Sequence, residues 1–262
     1  MKPKDAFDAT MLRVDCLLDL FTLLRNTRSR GTRKDWASRF KSLMHWPQGE
    51  TIHRIDGTGA VVILRQAAAL GPDKFSHEAL SDLLRSAVVT SVAALDKYCH
   101  DVLIHRLLPQ TRRPVKQWCK DLERLSVPLS VVVAAVAHAK RDQGGGDSKR
   151  TRPMTIIRNG LQDQFHRRRT LQRPDDIAEA LSMVGVKNLW GSCAKRMHAK
   201  AEYVKSRLDR IVARRNLIVH ESDIVRFRRV RKVTMRRIAL TQVADDVAWL
   251  RRLVRCIDGL CV

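Results

Sequence analysis

Acidic residues, aromatic rings and long apolar runs are all scarce in this chain. Only 27 Asp and Glu oppose 50 Lys and Arg, a formal charge of +23. Aromatics make up 5% of the residues, so the 44% hydrophobic share rests mainly on Leu, Val, Ile and Ala, as in helical proteins. No apolar run reaches the roughly 18 residues that a membrane-spanning helix requires. The opening residues, MKPKDAFDATMLRVD, place acids where a secretory leader has its apolar core, which points to a reducing cytoplasm. Six cysteines are scattered with no CxxC pair, so neither a disulfide framework nor a zinc cage is expected. The glycine-containing stretch at 55–60, IDGTGA, lacks the spacing of phosphate-cradling loops and reads as a plain loop. No cofactor and no metal are expected.

The cationic excess is what remains. Of the 50 basic residues 35 are Arg, the planar cation suited to bidentate phosphate contacts. A field of this sign attracts polyanions, RNA or DNA first among them. An Arg-rich genome would leave the same composition without any such partner.

Periodicity argues for helices throughout. A first helix over 5–27 would carry Leu12, Cys16, Leu17, Leu20, Leu23 and Leu24 on one face. A basic, turn-rich segment runs from Arg28 to Arg39, and Trp46-Pro47-Gln48-Gly49 makes a break. Ser76 is placed to cap a long helix, 77–108, that ends at Pro109. Its centre is apolar except for Asp96, Lys97, His100 and Asp101, which suits the middle of a bundle. Pro114 opens a helix that Pro128 interrupts and that resumes as LSVVVAAVAHAK. Residues 141–153 form a Gly-rich flexible loop, and a short helix at 153–167 leads into His166-Arg167-Arg168-Arg169. Pro174 starts a helix ending near Gly185, and Trp190-Gly191 forms a hinge before a long helix over 193–219. The Arg-rich, β-branched stretch at 224–240 suits a short β-hairpin or an extended arm. Thr241 then caps a last helix, 242–258, with Val243, Val247, Leu250, Leu253, Val254 and Ile257 on one face.

One stretch stands apart. In KSRLDRIVARRNLIVHESD, residues 205–223, an amphipathic helix ends on Arg215-Asn216, three apolar residues and His220. An Arg five residues before a His arises by chance about once in such a chain, but requiring Asn after that Arg lowers the expectation to about 0.02. Five helical residues separate the pair by about 7.5 Å and about 140°, so fraying or bending near His220 would help them converge. The apolar residues between them would face the core while the polar ones line a cleft, a local conflict of the kind found at functional sites. Cations at a helix C-terminus also simply favour the dipole. From Lys205 to Arg237 there are 12 basic residues against Asp209, Glu221 and Asp223, a net charge of +9. With Arg167, Arg168 and Arg169, these suggest an approach surface for a phosphate backbone. Asp96 either orients Arg215 or caps an inter-helix salt bridge. Trp190 reads as a core aromatic, and His100 and His105 as core or rim histidines.

RIVARRNLIVHESD resembles the signature of the HEPN superfamily, and the chain is most similar to its RiboL-PSP branch. The likeness extends from about Arg85 to the end, through RSAVVTSVAALDKYCHDVL, RPDDIAEALSMVGVKNLW and RIALTQVADDVAWLRRLVRCI. The resemblance implies an all-α, HEPN-like helical bundle over 76–262; residues 1–75, without a clear counterpart in the family, read as an N-terminal helical extension packed on the same core. It implies metal-independent endoribonuclease activity that leaves a 2′,3′-cyclic phosphate, as in toxins and antiphage defence effectors. A non-catalytic RNA- or nucleotide-binding module of the same fold is the alternative. Carried over, the catalytic pair falls on Arg215 and His220, with Asn216 beside them and Asp96 and Tyr98 in support. Arg210, Arg214, Arg226, Arg228 and Arg229, together with Arg167 to Arg169, would contact RNA. A homodimer in which two motif helices meet is implied as well. The family commonly has Gly after His-Glu, where this chain has Ser222.

Overall fold

A computed structural model describes residues 2–25, 28–57, 59–65, 72–110, 113–117, 127–142, 155–160, 163, 170–225 and 234–261. The protein is predominantly helical. Its helices are α1 (Pro3–Leu24), α2 (Lys34–Leu43), α3 (His77–Gln110), α4 (Leu129–Asp142), α5 (Pro174–Ser182), α6 (Leu189–Met197), α7 (Ala201–Glu221) and α8 (Leu240–Asp258). Strands β1 (Arg28–Arg30), β2 (Ile52–Asp56) and β3 (Val61–Arg65) form one antiparallel sheet in that order. Among the described residues no helix is long and apolar enough to cross a membrane.

Two compact units emerge. One comprises Met1–Thr10, Val92–Arg214 and Ala248–Val262; the other comprises Met11–Ser91 and Arg215–Val247. The first is built on the C-terminal part of α3. Its side chains Val92, Leu95, Cys99, Leu103 and Leu107 are buried, as are Ile177 and Leu181 of α5 and Leu250, Leu253, Val254 and Ile257 of α8. Phe7 meets the Tyr98 ring edge-on at 5.9 Å. The Tyr98 hydroxyl donates to Asp258 at 3.2 Å, and burial raises its pKa. Arg207 lies 5.2 Å over the Trp249 ring. Cys99, Cys193 and Cys261 are buried free thiols, and burial pushes that of Cys193 up to about 12, which keeps it protonated and inert.

In the second unit the sheet packs Ile52, Ile55 and Leu64 inward, and α3 contributes Leu80, Leu84, Ala87 and Val88. The sheet corrects the reading of 55–60 as a plain loop: Ile55 and Asp56 close β2, and Gly57 begins the turn into β3. β-Branched Ile52, Ile55, Val61, Val62 and Ile63 favour a pleated surface. Gly57 is sterically required there, because a Cβ would lie 2.9 Å from the Leu23 carbonyl oxygen. Arg28 to Arg39 likewise holds β1 and the start of α2 rather than turns alone.

Several helical expectations shift in detail. The buried face of α1 is Phe7, Met11, Val14, Leu18 and Phe21, whereas Leu12, Leu20 and Leu23 of the expected stripe are exposed. Both series fit helical spacing, so periodicity alone cannot choose between them. Ser76 does cap α3, accepting from the Ala79 amide at 3.2 Å. The helix continues through Pro109 to Gln110, since a proline in the last turn removes only one hydrogen bond. A 3-10 turn at Val115–Gln117 replaces the start of the helix expected from Pro114. Most of the loop expected at 141–153 lies outside the described residues, and the helix expected at 153–167 is described as helical over 155–160. Trp190 and Gly191 lie inside α6 instead of forming a hinge, and Trp190 is buried with its indole N–H on the Pro174 carbonyl. The break in the expected long helix comes at His198, whose φ of 51° ends α6 and turns the chain into α7. α8 begins at Leu240, so Thr241 lies within its first turn rather than capping it.

The end of α7 is fixed by a buried ion pair in the second unit. Arg85, 7% exposed along its side chain, donates from Nε to the fully buried Asp223 at 2.8 Å. Its other nitrogens reach Asp82 at 3.0 Å and the Arg236 carbonyl at 2.9 Å. One guanidinium thus ties α3 to the residue just after α7 and to the strand-like segment that follows. Removing one partner strands the other charge in the interior. Arg85→Met is therefore expected to lower unfolding free energy by about 3–5 kcal/mol, as measured by denaturant titration. Asp82→Asn, at the exposed arm of the same Arg, should change it by less than about 1 kcal/mol.

Candidate active site

Helix α7 is amphipathic, burying Val204, Leu208, Ile211 and Val212. Over its last two turns the burial loosens. Arg215, Leu217 and Ile218 are half-buried, and Asn216, Val219 and His220 are exposed. The three apolar residues between Arg215 and His220 therefore do not reach the core as expected. The helix also stays α-helical through Glu221, so it does not fray before the histidine. On such a helix Asn216 and His220, four residues apart, share one face. Arg215 shares the adjacent face with Ile218, three residues on.

The Arg215 side chain is held by its neighbour. One terminal nitrogen donates to the Asn216 carboxamide oxygen at 3.1 Å. Its Nε is buried and has no hydrogen-bond partner among the described residues. An orphaned, buried cationic donor is costly unless an anion completes it. Ile218 of α7 and Ser222, just past its end, line an open cleft of about 420 Å³ with Asp82, Arg85, Ser86, Val89, Thr90 and Met235. Its lining combines three hydroxyl groups and the aliphatic Val89 and Ile218 with the Asp82 carboxylate, which is already paired with Arg85.

Immediately past the motif the backbone turns left-handed. Ser222 has φ 50° and Asp223 φ 55°, while the Asp223 amide donates back to the Leu217 carbonyl at 3.0 Å. Helices often stop this way, normally with glycine in the left-handed position. Ser222 stands where the resembling family commonly has Gly, and its positive φ gives that preference a physical reason. Beyond it, Ile224 and Met235 pair as an isolated antiparallel bridge, supported by Val225 N–H to Thr234 O at 2.8 Å. That bridge is the described part of the hairpin or arm expected at 224–240.

The other expected site residues are dispersed. Arg210 is exposed and Arg214 half-buried on α7. Arg167, Arg168, Arg169, Arg226, Arg228 and Arg229 lie outside the described residues. Tyr98 is a buried core residue of the first unit. Asp96 accepts the Leu171 amide at 2.5 Å and the Gln172 carboxamide N–H at 3.3 Å, and lies 3.5 Å from the buried His100 ring. These are hydrogen bonds from the segment that precedes α5 and a contact within α3, not the inter-helix salt bridge weighed for it. His105 is exposed, on the rim of a separate cleft with Lys97 and Asp101. Sequence reasoning missed the Arg85–Asp223 pair, because the two residues lie 138 positions apart.

Two substitutions probe these local devices. Ser222→Gly should raise stability by about 0.5–1 kcal/mol, since relief of left-handed strain exceeds the added backbone freedom of the unfolded chain. Asp96→Ala should lower it by about 1–3 kcal/mol by leaving the Leu171 amide unsatisfied. Thermal melts of both variants beside the parent protein check the two signs.

A family model described as RiboL-PSP-HEPN matches residues 63–262. Neither the curated proteins nor the solved structures contain a match. The matched span takes in α3, the motif helix α7 and the closing helix α8, so the chain belongs to the RiboL-PSP-HEPN family.

Proposed function

We propose that this protein is a metal-independent endoribonuclease acting at the C-terminal end of α7. The observation that carries the reading is Arg215, a half-buried guanidinium with one contact to Asn216 and a buried Nε awaiting an acceptor. A scissile phosphate supplies such an acceptor in bidentate form, and the contact strengthens as negative charge grows on the phosphoryl oxygens. Asn216 is the residue that orients this fork. His220, exposed on the face it shares with Asn216, is the group placed to act as general base or acid.

In the proposed reaction a 2′-hydroxyl loses its proton to an imidazole and its oxygen attacks the adjacent phosphorus. The P–O5′ bond breaks, the departing oxygen takes a proton, and the products are a 2′,3′-cyclic phosphate and a 5′-hydroxyl. Proton removal and proton delivery occur on opposite sides of the phosphorus. One chain has one histidine in the motif, so the reading includes a homodimer that brings two α7 ends to one phosphate. Arg210 and Arg214, with Arg167 to Arg169, Arg226, Arg228 and Arg229, belong to the approach surface for the RNA backbone. In a cytoplasmic setting such an activity suits a toxin or antiphage defence effector. RNA binding without turnover is the second reading, and the same cationic surroundings of the motif favour it.

End-labelled structured RNA incubated with the protein in EDTA separates the two. The parent protein should cut, leaving cyclic-phosphate ends, while His220→Ala and Arg215→Ala should cut at least about a hundredfold more slowly. Unchanged cleavage in either variant, or a requirement for Mg²⁺, would overturn the mechanism. Binding by all three proteins with cleavage by none would establish the binding reading. Sedimentation of the parent protein as a monomer at active concentrations would remove the dimeric part.

A further inference from the structure

Helix α2 is amphipathic yet buries none of its residues. Its apolar face holds Trp36, Phe40 and Leu43, with Trp36 39% and Leu43 76% exposed. At 100° per residue these three span only about 60° of the helix, and Arg39 and Arg33 fall on either side of them. The Trp36 and Phe40 rings stack at 5.1 Å with an interplanar angle of 17°. Phe40 is buttressed edge-on by Trp46 at 5.6 Å, and Trp46 carries Arg65 at 5.0 Å over its own ring. Glu50 fixes that Arg from the far side with hydrogen bonds of 2.8 and 3.0 Å. The outer face of Trp36 is thus a flat surface on a braced stack.

The cations of this segment divide into two sets. Arg30 and Arg54 are engaged by Asp56, Arg65 by Glu50 and Lys41 by the Glu50 carbonyl. Arg28, Arg33, Lys34 and Arg39 are exposed and form no ion pair among the described residues. Over 28–65 there are eight basic and three acidic residues, a net charge of +5. An open aromatic platform flanked by such cations is the arrangement that takes unpaired bases and their phosphates, since every base offers a stacking face. A protein partner fitted to the apolar stripe alone would leave these flanking charges unanswered.

We infer that α2 is a docking surface for single-stranded RNA, with Trp36 stacking a base and Arg33 and Arg39 holding the adjoining phosphates. It lies before the span that matches the family, so the N-terminal segment has a task separate from the motif. The inference extends the reading that the protein acts on RNA, and it needs no cleavage at that surface.

Equilibrium binding tests it in the full-length His220→Ala protein, so that turnover does not enter. Fluorescent oligouridine of about 12 nucleotides, long enough for a typical single-strand site, is the probe, with a blunt RNA duplex and phosphatidylserine vesicles as comparisons. Added Trp36→Ala should weaken oligouridine binding about tenfold and duplex binding much less, because paired bases do not stack on a protein ring. Trp36→Tyr should restore it. Arg33→Glu with Arg39→Glu should weaken it too and flatten its salt dependence by roughly 0.7 for each phosphate no longer held. Equal oligouridine affinity with and without Trp36, no affinity in either protein, or a weakening confined to the vesicles would overturn the inference. If the parent protein cuts no RNA but Trp36→Ala still weakens oligouridine binding, the docking surface stands and only the nuclease reading falls.

Discussion

The buried contact between Arg85 and Asp223 sets the terms for the second unit. A guanidinium and a carboxylate withdrawn from water are tolerable only together, and each holds the other in place. Asp223 follows the motif by three residues, and Arg85 belongs to a helix with apolar neighbours on both sides. Holding Asp223 holds the left-handed turn at Ser222, and that turn stops α7 just after His220. The third arm of Arg85, on the Arg236 carbonyl, secures the returning segment. The position of His220 is therefore set by a charge that it never touches.

This dependence explains what could be read from the chain and what could not. Local signals served well where one residue decides locally. Ser76 caps α3, Pro174 opens α5, and Val243 through Ile257 give α8 its buried stripe. Such signals failed where two faces compete. In α1 the series Leu12, Leu20, Leu23 and the series Phe7, Met11, Val14, Leu18, Phe21 both satisfy helical spacing, and tertiary packing selects the second. They failed also where a single backbone angle matters, as at His198, whose left-handed conformation no composition reveals. The sheet of β1 to β3 was hidden by its own turn, because glycines suggest a loop more loudly than the flanking Ile and Val suggest strands.

At the motif the same division holds. Residue identities and spacing are enough to single out Arg215, Asn216 and His220. The sequence could not show that Asn216 takes a hydrogen bond from Arg215, that the Arg Nε lacks an acceptor among the described residues, or that α7 remains regular to Glu221. Those three facts depend on packing around the helix end. The Ser for Gly exchange at 222 is a case where sequence and structure inform each other, since a left-handed backbone makes sense of a preference that spacing alone leaves arbitrary.

The regularity of α7 has a consequence for the proposed chemistry. Had the helix unwound before His220, one chain could have folded its arginine and histidine onto one phosphate. A regular helix instead turns them about 140° apart, with Asn216 between them in projection. Arg215 then addresses the half-buried side and His220 the open side. For both to serve one phosphorus, the substrate must span the helix end or a second copy must face the first. The second arrangement also provides two imidazoles, one for each proton transfer, and Val219, 44% exposed beside His220, offers it an apolar contact. On the proposed mechanism, the geometry of one helix end therefore favours two copies meeting at the phosphate, and the RNA surface proposed for α2 would serve that assembly.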